Sequence, residues 1–137
     1  MSRIKNDANS SAPMAYHDIT EKVLAAAFDV SNALGGGLLE SVYQNAMMIA
    51  LHEQGLKAEA QVPIRVHYHG HPIGDFIADI EVEKKVILEL KSAQGIATEH
   101  MAQLIHYLKL TSRPVGMILN FGRQRVQYKR LYPDETA

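Results

Sequence analysis

The chain has no cysteine among its 137 residues, no imbalance of charge and no long apolar run. The lack of cysteine excludes disulfide bonds, thiolate zinc sites and a cysteine nucleophile, and it fits a reducing compartment. The 14 Lys and Arg residues against 15 Asp and Glu give a net charge of −1, so the molecule exerts no general attraction on nucleic acids or membranes. The sequence shows neither a signal peptide nor a membrane-spanning segment, which predicts a cytoplasmic protein with no membrane partner.

Length and apolar content predict one folded domain. Hydrophobic residues make up 47% of the chain, which is enough for one sizeable core. Residues 1–15 are small and polar and predict a flexible N-terminal tail. Residues 16–133 show no internal repeat and no linker, so we expect them to form a single domain.

The spacing of apolar residues predicts the element order α-α-β-β-β-α-β-β. Asp18 and Glu21 resemble an N-terminal capping pair, and apolar residues at helical spacing follow them. The three glycines at 35–37 would end this helix, and Gly55 would follow the second helix as a C-terminal cap. Alternating or continuous apolar residues indicate the strands. The predicted helices are 18–34, 38–54 and 96–110, and the predicted strands are 62–68, 76–82, 86–91, 115–120 and 126–131.

Two neighbouring predicted strands carry an acidic pair. If residues 83–85 form the loop of a hairpin, Asp79 lies opposite Glu89. Two opposed carboxylates repel each other unless a cation or a proton joins them, so this register predicts a metal site. An ordinary cross-strand ion pair between Asp79 and Lys91 is the structural alternative. Alternation also predicts one sheet face for the apolar residues of the first strand, which are Phe76, Ala78, Ile80 and Val82.

These segments resemble the PD-(D/E)XK nuclease superfamily. Ala78-Asp79 stands where that superfamily has Pro-Asp, and Glu89-Leu90-Lys91 matches its E-x-K motif. The segment Gly37–Tyr43 carries the complete motif of the small bacterial GxxExxY family, and the resemblance covers nearly the whole chain after residue 15. It implies an α/β fold with a mixed central sheet flanked by helices. The restriction-endonuclease-like α-β-β-β-α-β core would gain an extra N-terminal helix and a C-terminal strand.

The resemblance also implies a site for Mg²⁺ or Mn²⁺. Asp79, Glu89 and the main-chain carbonyl of Leu90 would be ligands, and Glu40 on a helix would complete the site, often through water. Carboxylate, carbonyl and water oxygens suit magnesium. Lys91 would orient the attacking water or stabilise charge on the phosphate. The four residues Asp79, Glu89, Lys91 and Glu40 are therefore the candidate catalytic set.

Four further residues are candidates for substrate binding. Gln103 and Tyr107 match the Q-x-x-x-Y motif of exonucleases related to RecB in the same superfamily, and their spacing puts both on one helix face. Arg123 and Arg125 belong to a locally basic C-terminal part, which is either a patch for a phosphate backbone or a solvated edge strand.

Three functions compete for this pattern. The first is a metal-dependent nuclease acting on DNA, with RNA as the less favoured substrate. The second is a non-catalytic binding or regulatory module for nucleic acid or protein on a nuclease fold, because a fold does not determine function. The third and weakest is a zinc protein that uses His67 and His69, which would share a strand face. A homodimer or a larger protein partner would compensate for the small surface that one domain offers to a substrate.

Overall fold

The computed structural model describes residues 16–134. The element order agrees with the order predicted from the sequence, and the predicted tail 1–15 lies outside the described residues. The elements are α1 (His17–Leu34), α2 (Glu40–Glu53), β1 (Ala58–Tyr68), β2 (His71–Val82), β3 (Val86–Lys91), α3 (Thr98–Thr111), β4 (Val115–Asn120) and β5 (Gln127–Leu131).

The five strands form one mixed sheet in the order β1-β2-β3-β4-β5. Strands β3 and β4 are parallel, and the other neighbouring pairs are antiparallel. A parallel pair needs a crossover connection, and α3 supplies it between β3 and β4. The mixed sheet with flanking helices confirms the predicted α/β fold class.

The helices cover opposite faces of the sheet. Helices α1 and α2 pack on one face through a cluster that includes Val23, Met47 and Leu88. Helix α3 packs on the other face through a second cluster, which includes Ile87 and Leu108. Strand β4 is buried along its whole length, as expected from its continuous apolar sequence. None of the helices within residues 16–134 is long and apolar enough to cross a membrane.

The hairpin of β1 and β2 extends further than its sequence pattern predicted. Strand β1 starts four residues earlier than expected and β2 starts five residues earlier, at His71. A two-residue turn joins them, with positive φ angles at His69 (49°) and Gly70 (78°), as in the tight turns that match strand twist. The added part of β2 is exposed. Its sequence therefore shows no alternation of apolar and polar residues from which a strand could be predicted. Main-chain pairing with β1 forms this part of the strand.

The helix starts differ from the predicted ones. Helix α1 begins at His17 with Tyr16 at the N-cap position, so Asp18 lies within the first turn and does not cap the helix. Helix α2 begins at Glu40, two residues later than predicted. Helix α3 begins at Thr98, again two residues later.

Candidate functional site

The acidic pair lies where main-chain pairing between β2 and β3 ends. The ladder runs from the pair Val82 and Val86 to the pair Ile80 and Leu88, which is the register expected from a loop at residues 83–85. Beyond that pair, hydrogen bonds between main-chain N–H groups and carboxylate side chains connect the two strands. The N–H of Leu90 donates to Asp79 Oδ2 at 2.8 Å, and the N–H of Asp79 donates to Glu89 Oε2 at 3.4 Å. Each carboxylate therefore accepts a main-chain N–H of the opposite strand.

The sheet face changes at Asp79, contrary to the simple alternation expected from the sequence. Ala78 belongs to the cluster beneath α3, whereas Ile80 belongs to the cluster beneath α1 and α2. The neighbouring strand has a positive φ of 53° at Gln61, between the residues that pair with Ala78 and Ile80. This irregular backbone breaks the two-residue side-chain period. The prediction of one shared face for Phe76, Ala78, Ile80 and Val82 was therefore wrong.

The side chain of Tyr43 anchors the glycine-rich turn that precedes α2. Its side chain is fully buried and stacks on Phe121, with ring centroids 4.5 Å apart. Its hydroxyl donates to the Gly35 carbonyl at 2.6 Å and accepts the N–H of Leu38 at 3.2 Å. One buried side chain thus holds both ends of the turn and positions the start of α2.

Glu40, the first residue of α2, lies beside the end of β3. Its Oε2 accepts the N–H of Ser92 at 3.4 Å, and the Ser92 hydroxyl donates to the Leu38 carbonyl at 2.6 Å. Ser92 directly follows Lys91 in the chain. The helix start is thereby tied to the strand end that carries the predicted lysine.

The predicted residues line two cavities. Glu40, Asp79 and Leu90 line an open cavity of about 330 Å³, which we call the α2-side cleft. Glu89 and Lys91 line a narrow cavity of about 10 Å³ beneath α3, which we call the α3-side cavity. Gln103 and Tyr107 also line the α3-side cavity. Asp79 and Glu89, which are linked by a hydrogen bond, thus line different cavities.

Glu89 has a strongly altered acidity. Burial raises the pKa of Glu89 from its ordinary value of 4.5 to about 7. The negative charges of Asp79 and Glu40 add to this rise in pKa, while the hydrogen bond from the Asp79 backbone and the charge of Lys91 oppose it. Burial and like charge both disfavour the ionised form of a carboxyl group. A cation bound between the two carboxylates would reverse this preference.

The residues at this opening fit a hard divalent cation. Within residues 16–134, no group of three or more Asp, Glu and His side chains is placed to hold a metal ion. A metal bound here would therefore use the carboxylates of Asp79 and Glu89, completed by main-chain and water oxygens. This oxygen-rich, incomplete set matches the coordination of magnesium, which keeps several of its waters.

The sequence interpretation missed His100. This residue lines the α3-side cavity with Glu89 and Lys91. Its Nδ1 atom is buried and has no hydrogen-bond partner within the described part of the chain. The sequence spacing could have identified His100, because it precedes Gln103 by three residues and the two therefore share one face of the helix.

The structure does not bring the two arginines or the two histidines to this site. Arg123 is exposed and donates to the main-chain carbonyl of Gln94 at 3.3 Å. Arg125 is also exposed, and neither arginine lines the two cavities. His69 lies in the hairpin turn, where its ring stacks on Tyr68, so it does not share a strand face with His67.

Comparison with known proteins agrees with this architecture. The crystal structure of a protein named SSO0001 superposes with a TM-score of 0.56 at 18% sequence identity, a level that shows similarity of fold. The alignment covers 90% of this chain, which spans 61% of the SSO0001 chain. No curated protein gave a significant match to the sequence. The family model of the PD-(D/E)XK nuclease superfamily matches residues 17–131, and the chain therefore belongs to that superfamily.

Proposed function

We propose that this protein is a metal-dependent nuclease that hydrolyses phosphodiester bonds in DNA and, as a less favoured substrate, RNA. One observation supports the proposal: Asp79 and Glu89 each accept a main-chain N–H of the opposite strand where β2 and β3 separate, and the charges of Asp79 and Lys91 both act on the Glu89 carboxyl group. Within the superfamily, we assign the chain to the GxxExxY group because the segment Gly37–Tyr43 carries the complete motif of that group. Mg²⁺ or Mn²⁺ is the proposed cofactor.

The proposed ligands are the side chains of Asp79 and Glu89 and the carbonyl of Leu90, with Glu40 acting through water. When bound, the ion would polarise the phosphodiester and favour ionisation of the attacking water. The protein residues would bring the reacting groups together and exclude bulk water. Glu89, whose carboxyl group is largely buried, would give up its proton when the cation binds.

Lys91 would stabilise charge on the phosphate or orient the water through its ammonium group. It shares the α3-side cavity with Glu89 and His100, so all three can reach one small group placed there. A cavity of about 10 Å³ is close to the lower limit for one water molecule. We include His100 as a positioning residue for that water, because its buried Nδ1 has no hydrogen-bond partner within residues 16–134.

The first test is cleavage by two variants on single-stranded, double-stranded and nicked DNA and on RNA. Glu89→Gln removes a charged ligand at constant size, and Lys91→Ala removes the ammonium group. Each should lower the metal-dependent cleavage rate about a hundredfold or more, since losing one preorganised electrostatic group commonly has that effect. Nucleic-acid binding should fall much less in Lys91→Ala, because other cations would supply most of the backbone affinity.

The matched controls are Glu53→Gln and Lys22→Ala. Both residues are exposed and line neither cavity, so both variants should cleave at the wild-type rate. Unchanged activity in Glu89→Gln and Lys91→Ala would assign the cleavage to another site or to a contaminant.

A non-catalytic binding module on the same fold is the second candidate function. The incomplete set of side-chain metal ligands within residues 16–134 favours it. This candidate predicts binding of nucleic acid or protein without cleavage in Mg²⁺ or Mn²⁺. Cleavage that Glu89→Gln abolishes would reject it.

A further inference from the structure

A third cavity lies between the β1–β2 hairpin and α3, and neither the catalytic set nor the proposed metal site uses it. Its volume is about 350 Å³, within the range of pockets that hold small organic groups. Val66 and Ile73 from the hairpin and Leu110 from α3 form apolar walls. Ile73 is 63% exposed and Leu110 is 48% exposed. Exposed apolar surface in a concave place is typical of a binding site. We call this cavity the hairpin cleft.

The hairpin cleft adjoins the α3-side cavity. Gln103 and Tyr107 line both of them. Phe76 stacks on Tyr107 with ring centroids 4.2 Å apart and an angle of 15° between the planes, so the ring that divides the two spaces is held in place. A group in the hairpin cleft would thus be a close neighbour of a phosphate beside Lys91.

The charges of the hairpin cleft disfavour a phosphate. None of the described residues that line it is a lysine or an arginine. Asp75 brings a carboxylate to its wall, and Arg65 neutralises this charge through a contact of 3.0 Å. The side chains of Asp75, Gln103 and His106 can exchange hydrogen bonds with a ligand. Apolar walls with a few polar groups suit an uncharged, flat heterocycle that carries amino and carbonyl groups.

We propose that the hairpin cleft binds one unstacked nucleobase of the substrate, next to the phosphate that is cleaved. This proposal rests on the nuclease function proposed above and specifies its substrate class. A base inside a continuous duplex would have to leave its stack to enter the cleft, whereas a base in a single strand, a frayed end or a mismatch is already accessible. The enzyme should therefore prefer single-stranded or locally unpaired nucleic acid.

The binding experiment uses a labelled single-stranded DNA oligonucleotide and fluorescence anisotropy. Glu89→Gln protein is used so that no cleavage occurs. An abasic residue is introduced at each position of the oligonucleotide in turn. Affinity should fall about tenfold when the missing base is the one that the cleft holds, since base stacking against a protein is commonly worth that much.

A matched pair of variants assigns this effect to the cleft. Ile73→Ser and Ile49→Ser each remove an isoleucine that is 63% exposed, so neither should affect folding. Ile73 lines the hairpin cleft, whereas Ile49 lies on α2 and lines none of the three cavities. Ile73→Ser should remove the sensitivity to the abasic residue and lower single-strand cleavage about tenfold. Ile49→Ser should behave like the wild type in both measurements.

The outcomes separate the two proposals. Equal cleavage of duplex and single strands, with no sensitive abasic position, would overturn the nucleobase site and leave the nuclease intact. No cleavage of any substrate would reject the nuclease. The affinities for the abasic oligonucleotides would then test the hairpin cleft alone. A position at which the missing base lowers affinity, and at which Ile73→Ser removes this effect, would support the nucleobase site. Equal affinity at all positions would overturn it.

Discussion

At the scale of single residues, the carboxyl group of Glu89 shows how the fold prepares a site. It is buried beside the carboxylate of Asp79, and its pKa rises to about 7. An ionised carboxyl group at this position is unfavourable in the absence of a cation. Below about pH 7 the metal-free protein therefore keeps a proton on Glu89, which a bound metal would displace.

The first prediction at this scale is a pH-dependent stability in the presence of a chelator. Since the folded-state pKa of Glu89 lies above the ordinary 4.5, its contribution to the free energy of unfolding is fully present below about pH 4.5 and is lost as the pH rises to about 7. The full loss is of the order of 3 kcal/mol. Urea unfolding between about pH 5 and about pH 8 measures it.

The control for this prediction is Glu89→Gln, whose side chain does not ionise. Its unfolding free energy should lack most of the decrease, and it should exceed that of the wild type at about pH 8. Equal pH slopes for the two proteins would show that other groups cause the dependence.

The second prediction at the residue scale concerns Tyr43. Replacement by Phe keeps the stack on Phe121 but leaves the Gly35 carbonyl and the Leu38 N–H without their partner. We expect a loss of about 1–3 kcal/mol in unfolding free energy, measured by urea unfolding. Tyr128→Phe is the control because Tyr128 is 43% exposed and should change stability by less than about 0.5 kcal/mol. Similar losses in both variants would contradict this role of the Tyr43 hydroxyl.

At the scale of elements, the end of β4 fixes the loop that follows β3. The fully buried Asn120 accepts the N–H groups of Ala93 and Gly122 and donates to the Ala93 carbonyl and to Gln127. Both amide hydrogens and the amide oxygen are thereby satisfied. The loop begins directly after Lys91, so this network positions the end of β3.

The close approach of this loop to β4 leads to a third prediction. A Cβ atom on Gly122 would overlap the main chain of Ala93, whereas one on Gly95 would meet nothing within 4 Å. Gly122→Ala should lower the unfolding free energy by about 2 kcal/mol or more, since backbone must move. Gly95→Ala should change it by less than about 1 kcal/mol. Thermal unfolding of both variants measures the difference, and equal stabilities would show that the two segments are not in contact.

At the scale of the whole molecule, the sheet separates the two helical layers, and the candidate site lies where both layers reach its opening. Helix α2 brings Glu40 from one side, and α3 brings His100 and Gln103 from the other. The proposed metal ligands thus lie on elements that are distant in the sequence. The proposed site would be complete only when waters on a bound cation and a substrate phosphate supply the remaining oxygen ligands.

The prediction at this scale is weak metal binding in the absence of nucleic acid. Two carboxylates and a proton on Glu89 give Mg²⁺ few ready ligands, so its dissociation constant should lie above the micromolar range. The apparent affinity should increase between about pH 6 and about pH 8, because Glu89 must lose its proton. Isothermal titration measures both effects. Submicromolar affinity, or affinity that does not change with pH, would contradict the proposed ligand set.

Local patterns were sufficient to predict much of this fold. Apolar periodicity predicted the order of the elements, and the three-residue loop at 83–85 predicted the register that brings Asp79 to Glu89, as observed. These features depend on residues close together in the chain, whose spacing decides the face or partner of each side chain. The exposed first part of β2 was not predicted, because a strand segment without a buried face shows no alternation of apolar and polar residues.

Tertiary structure alone decided how the site is divided. The positive φ at Gln61 and the face change at Asp79 place Asp79 in the α2-side cleft with Glu40, whereas Glu89 and Lys91 line the α3-side cavity. The sequence could not show this, because the backbone of β1 and the carboxylates of β2 and β3 adjust to each other across the sheet. Glu40 reaches Ser92 across a separation of 52 residues. Only packing of the helices on both sheet faces creates such a contact, since local preferences act over a few residues.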